Sequence, residues 1–270
     1  MLKLRILTAV ILGCMLLAGL FMLDPRWTDL AFGVVALVGA WEWAGFGGLT
    51  AVPGRLLYSC AIGLILGLCW RWTEDPAHLL MLLGAACVWW CAAFLWLILA
   101  PEWHRPSLAL LCGIPVLVPA FVALGRLILA SRGPVGGSWI VLWLVFLVIA
   151  SDIGAFFVGR QFGRRKLAPR VSPGKTWEGA LGGLGTVVLV ALCGAYTFNF
   201  PLVLSVCFGV VVGVFSVIGD LTESMFKRGA GLKDSGVILP GHGGILDRID
   251  SVTAAAPLYA LGLFGSGVIA

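Results

Sequence analysis

An all-α, polytopic membrane fold of about nine transmembrane helices is predicted for this 270-residue chain by three observations. Hydrophobic residues make up 60% of it and charged residues only 11%, whereas soluble domains carry roughly 25% charged residues. The apolar residues fall into runs near the ~20 residues that an α-helix needs to cross a bilayer. Lys and Arg then collect on alternate connections between those runs, the bias that orients membrane proteins.

The first run, 6–23, follows Lys3 and Arg5 as a signal peptide would. It lacks a small-x-small cleavage site and further runs follow at once, so it reads as a retained anchor. The next are 30–50, 56–70, 79–100, 107–130, 138–158, 178–198, 202–219 and 253–269, with 56–70 and 253–269 the shortest. If the N-terminus is cytoplasmic, the inside segments hold Lys3, Arg5, Arg55, Arg105, Arg160, Arg164, Arg165, Lys166, Arg170, Lys175, Lys227, Arg228, Lys233 and Arg248. The outside keeps only Arg26, Arg71, Arg126 and Arg132. That asymmetry requires an odd number of spans and leaves the C-terminus outside. A hairpin turning near Asn199 and Pro201 brings the loops 160–175 and 220–250 to one membrane face. Residues 1–135 read as an N-terminal membrane bundle and 136–270 as a C-terminal catalytic membrane region.

Several classes are excluded on the way. The net charge of +5 sits in connections and is not interleaved with stacking aromatics, so nucleic acid is no partner. The eight cysteines lie in apolar runs without a CxxC pair and read as reduced packing residues. No repeat of fixed period is visible, which weakens an inverted-repeat transporter.

The chemistry is concentrated between Asp220 and Asp250. Asp220, Glu223, Ser224 and Lys227 are spaced i, i+3, i+4 and i+7, one face if helical. Asp247 and Asp250 follow the Gly243-Gly244 turn and share a face in the first turns of a last helix, where the dipole favours negative charge. Carboxylates gathered at membrane depth need something positive, and oxygen ligands of this kind suit Mg2+ shared with phosphate groups. Lys227, Arg228 and Lys233 read as anion clamps, and the interspersed glycines let backbone N–H groups approach phosphate oxygens. A metal–phosphate site is the expectation.

Three other features bear on it. Pro173-Gly-Lys-Thr176 is no P-loop, because position 169 is proline and no strand precedes it. Ser172 and Pro173 read instead as an N-cap and first helical residue, placing Lys175 and Thr176 at a helix N-terminus that favours anions. Asp152, inside an apolar run, is expected to touch a second metal ion, a lipid headgroup or Arg160. His242 is expected to serve structurally or as a phosphate donor; His78 and His104 lie in other loops. Glu42, between Trp41 and Trp43, has no partner legible in the sequence.

At this point a resemblance is specific. Ser224-Met-Phe-Lys227-Arg228, then Lys233-Asp234-x-Gly236, then Leu239-Pro240-x-His242-Gly243-Gly244-Ile245-x-Asp247-Arg248-Ile249-Asp250 resembles the signature of the phosphatidate cytidylyltransferase (CDP-diacylglycerol synthase) family. Ser151-Asp152-Ile-Gly154-Ala-Phe-Phe-Val-Gly159-Arg160 and Ser172-Pro173-Gly-Lys175-Thr176-Trp-Glu178-Gly179 are similar to further family motifs. The likeness covers residues 140–255; the N-terminal half matches only as a membrane bundle. It implies CTP and phosphatidic acid as substrates, Asp220, Asp247 and Asp250 as metal ligands, and Mg2+ with a second cation of open identity. It also implies substrate contacts from Asp152, Arg160, Ser172, Lys175, Thr176, Ser224, Lys233, His242, Gly243, Gly244 and Arg248, with Asp220, Lys227, Arg228, Asp247 and Asp250 at the reacting groups. The expected setting is a bacterial-type inner membrane with the site facing the cytoplasm, amid membrane lipids, a homodimer being admissible. The alternative is a CTP-dependent polyprenol or lipid kinase, which would release CDP instead of pyrophosphate.

Overall fold

The computed structural model describes residues 2–102, 105–132, 135–197 and 200–269; His104 and Asn199 lie outside them. Among these residues nine helices follow one another: α1 (Leu2–Met22), α2 (Pro25–Trp43), α3 (Val52–Trp72), α4 (Pro76–Leu99), α5 (Pro106–Leu129), α6 (Gly137–Phe162), α7 (Trp177–Thr197), α8 (Leu202–Gly229) and α9 (Leu246–Gly265). Prolines open α2 to α5, where the missing N–H is harmless. The carboxylates of Asp24 and Asp75 cap α2 and α4 by accepting the N–H groups of Arg26 and Ala77.

Helices α3 to α8 are each long and apolar enough to cross a membrane. Helices α2 and α9, which carry Asp29 with Glu42 and Asp247 with Asp250, do not reach that measure on their own. Large apolar side chains such as Leu57, Val88 and Leu99 stay exposed at 70% or more, a surface that suits lipid and not water. The fold is that of an all-α integral membrane protein, with α5 and the Ala254–Ala260 part of α9 at its buried centre. Helix α9 packs on α4 and α5 as well as on α8, so its contacts reach into the N-terminal half.

Helix α2 ends at Trp43, seven residues short of the expected 50, and two boundaries near the polar segment also differ from the sequence reading. Helix α8 runs ten residues past the expected end at 219, and α9 begins at 246 instead of 253. Helical hydrogen bonding continues through polar positions wherever side chains can pair along the helix, which hydropathy does not report. The expectation of an N-cap at Ser172 is corrected. Ser172–Thr176 form a strand, β4, antiparallel to β3 (Lys166–Ala168), and α7 begins only at Trp177. Proline and glycine at 173 and 174 are the poorest helix formers, and the hairpin satisfies the backbone that an early helix turn would leave open. Thr176 is the actual cap: its Oγ1 accepts the Gly179 N–H at 3.1 Å. A further two-residue ribbon, β1 (Ser131–Arg132) with β2 (Val135–Gly136), links α5 to α6.

Small residues set the two helix crossings that carry the polar groups. A Cβ on Gly154 would lie 2.2 Å from Thr186 Oγ1, and one on Gly182 would lie 2.4 Å from Val158, so α6 and α7 approach through glycine. A Cβ on Gly219 would lie 2.6 Å from the Asp250 carbonyl oxygen, so α8 and α9 touch beside their carboxylates.

Candidate active site

The residues singled out on α8 do share a face. Asp220 accepts the Ser224 hydroxyl at 3.3 Å, and Glu223 pairs with Lys227 at 3.1 Å, both at i, i+4 spacing. The hairpin of β3 and β4 swings Lys175 over the same face, where its Nζ lies 2.6 Å from Asp220 Oδ2. Asp152 on α6 and Asp250 on α9 each sit close enough to Asp220 to feel its charge. Lys175 acts on both of them, and Arg248 acts on Asp152.

One turn further along α8 a second cluster is closed to solvent. Lys227 is 8% exposed, and its ammonium bridges Glu223 and Asp247, the latter at 2.6 Å. The other oxygen of Asp247, Oδ2, accepts the Ser235 N–H, the Ser235 hydroxyl and the Gly244 N–H, each at 2.9 Å. The loop between α8 and α9 is thus folded around one carboxylate. Gly231, Gly241 and Gly243 adopt positive φ in it, a backbone state open to glycine at little cost.

Glu42, with no partner legible in the sequence, stands at the centre of this loop. It is 1% exposed and accepts the N–H groups of Ile245 at 3.1 Å and Leu246 at 2.8 Å and the Ser235 hydroxyl at 3.1 Å. The rule that makes an intramembrane carboxylate functional by default applied to it as much as to Asp152, and was the one signal that could have found it.

Two cavities flank the charged groups. One, of about 420 Å3, lies between α6, α7, α8 and the β3–β4 hairpin. Its polar lining includes Asp152, Arg160, Lys175 and Asp220, and its walls include Phe156, Leu167 and Val217. The other, of about 600 Å3, is lined by Lys233, Asp234, His242 and Gly243 of the α8–α9 loop and by Arg248 in the first turn of α9. Thr176 reaches the first cavity while capping α7. His242 shares a hydrogen bond with Thr8 of α1 through Nδ1. Arg228 is exposed on the last turn of α8, Gly244 is buried against Glu42, and Ser172 lines neither cavity.

The residues can be tested for a metal ion. Five carboxylates (Asp152, Asp220, Glu223, Asp247 and Asp250) act on one another and on three cations, Lys175, Lys227 and Arg248. The all-oxygen donor set fits a divalent cation such as Mg2+. Among the described residues no three acidic, histidine or cysteine side chains already converge on one metal-sized point. Asp220 and Asp247 are instead closed on Lys175 and Lys227.

A family model described as the cytidylyltransferase family matches residues 3–264. The chain is 41% identical to a phosphatidate cytidylyltransferase of Haemophilus influenzae over 282 aligned positions, covering 96% of this chain and 98% of the relative. It is also 41% identical to one of Pseudomonas aeruginosa, over 99% of this chain and 98% of the relative. A Synechocystis phosphatidate cytidylyltransferase is 44% identical over 46% of this chain and 48% of its own length.

Proposed function

The chain belongs to the cytidylyltransferase family, and from that membership we infer that it transfers the cytidylyl group of CTP to phosphatidic acid. The products are CDP-diacylglycerol and pyrophosphate. The observation that carries this reading is the gathering of Lys175, Asp220, Lys227 and Asp247 in ion pairs, with a cavity of partly apolar walls on Lys175 and Asp220 and a second cavity along the α8–α9 loop.

The lipid phosphate oxygen attacks the α-phosphorus of CTP in line; the new P–O bond forms as the bond to the bridging oxygen of pyrophosphate breaks. Both reactants are polyanions, so charge is the main obstacle. Lys175 and Arg160 are placed to bind phosphate oxygens in the first cavity, and Lys233, His242 and Arg248 to bind them in the second. Gly243 keeps the loop backbone close to the second cavity, Gly244 packs beside Glu42, and Thr176 fixes the α7 end beside Lys175. Asp220 and Asp250 would hold Mg2+, with Asp247 joining once Lys227 is drawn off, and a second cation would share this oxygen set. When bound, Mg2+ offsets the charge of the triphosphate and of the leaving pyrophosphate.

The apolar walls around Phe156 favour the first cavity for the lipid, whose acyl chains stay in the bilayer. CTP is cytosolic, so the site faces the cytoplasm, in a bacterial-type inner membrane, in keeping with the Lys and Arg asymmetry. CTP labelled at the α-phosphorus, offered with phosphatidic acid to the purified protein in detergent, tests the reading. Label in the lipid product with release of pyrophosphate supports it. Labelled CDP formed from CTP on addition of a polyprenol, with no label in lipid, would point to the kinase, and no label in lipid with phosphatidic acid would refute the cytidylyl-transfer reading.

A further inference from the structure

We propose that Glu42 is a positioning residue for this reaction, holding the catalytic turn at the start of α9 in register with α8; this rests on the cytidylyl-transfer reading above. A buried carboxylate is costly unless its oxygens are well served. Those of Glu42 are served by the two backbone N–H groups at the start of α9 and by Ser235. These N–H groups have no helical partner of their own, and the helix end carries partial positive charge. A carboxylate on α2 therefore fixes where α9 begins.

The loop is shaped around this side chain. A Cβ on Gly236 would lie 2.4 Å from Glu42 Oε1, and one on Gly244 would lie 2.5 Å from Oε2, so both positions leave room for it. Ser235 connects Glu42 to the reacting groups. Its hydroxyl reaches Glu42 at 3.1 Å and Asp247 at 2.9 Å. The hydroxyl carries one proton, so it serves one carboxylate at a time, while its N–H stays on Asp247. From Asp247 the contacts continue to Lys227 and Glu223 on α8. Asp250 is one helical turn beyond Asp247, so a displaced start of α9 would carry both carboxylates away from Asp220 and Lys227. Glu42 itself lines neither cavity; it acts through the turn it holds.

The test compares Glu42→Gln with the wild type in detergent. Glutamine keeps the size but sets an NH2 group against one of the N–H or O–H donors. The expected result is a 10- to 100-fold fall in kcat, with KM for phosphatidic acid within twofold and faster hydrogen exchange at residues 244–247. A merely structural role would lower the amount or Tm of folded protein but leave kcat per folded molecule and the local exchange unchanged, and that outcome overturns the proposal. Should Glu42→Gln fail to fold, Ser235→Ala decides, since it removes the bridging hydroxyl and leaves both N–H contacts. It is expected to lower kcat in the same sense, and wild-type kcat would overturn the proposal. If both fold, the double variant should lose less than the product of the two single losses, as coupled residues do; full multiplication also overturns it. If the wild type transfers no α-label the functional reading itself fails, whereas the exchange measurement still reports whether Glu42 holds the turn.

Discussion

Replacing Gly219 with alanine would place a methyl group in the crossing of α8 and α9. The new Cβ would lie 2.6 Å from the Asp250 carbonyl oxygen and 2.9 Å from Ala254 Cβ. Contact distances near ~3.5 Å are optimal, so the helices must separate by about 0.9 Å at this point. Gly219 adjoins Asp220 in sequence and Asp250 in space, so the separation falls on the pair of carboxylates that must act together. Overpacking of this kind destabilises by about 1–3 kcal/mol, which the whole fold can absorb. A displacement near 1 Å within a reacting constellation costs on the order of 10²-fold in rate. Transfer of α-labelled cytidylyl groups, measured in micelles at saturating CTP, should therefore fall about 10²-fold while the Tm drops only modestly. Gly185→Ala on α7 is the control, because a Cβ there meets nothing within 4 Å. Activity of Gly219→Ala within threefold of the control would refute the idea that the α8–α9 crossing sets the site.

Lys227→Met leaves Glu223 and Asp247, with side chains 4% and 6% exposed, without their shared cation. Thermal or denaturant unfolding should show a loss of about 3–5 kcal/mol, and wild-type stability would mean that the triad is not closed as described. Asp247→Asn keeps the shape but removes the charge facing Lys227, and should lower transfer at least ~10²-fold in the labelled-CTP assay. Chelation by EDTA should abolish transfer and added Mg2+ restore it; full activity after exhaustive chelation would rule out the divalent ion.

The helices were legible because the bilayer requires long apolar runs, and among the described residues α3 to α8 are such runs. The α8 face was legible because Asp220, Glu223, Ser224 and Lys227 are local neighbours whose spacing alone places them together. Glu42 was not, since its partners Ser235, Ile245 and Leu246 lie beyond residue 230 and only tertiary packing brings them to α2. The partnership of Lys175 with Asp220 was hidden for the same reason, although the charge asymmetry had already placed both on one membrane face. Ser172 misled because Ser-Pro is a frequent helix start, while the pairing of β3 with β4, which decides the matter, depends on both strands at once.

The pairing of Lys175 with Asp220 and of Lys227 with Asp247 means that the protein neutralises its own binding groups when nothing else does. A polyanion that draws Lys175 away leaves Asp220 bare beside Asp152 and Asp250, and a cation settling on Asp220 leaves the ammonium bare. If a nucleotide and a divalent ion both bind here, each would remove the obstacle to the other, and by linkage each would raise the other's affinity by the same factor. Titrating one in the presence of the other would read that factor directly.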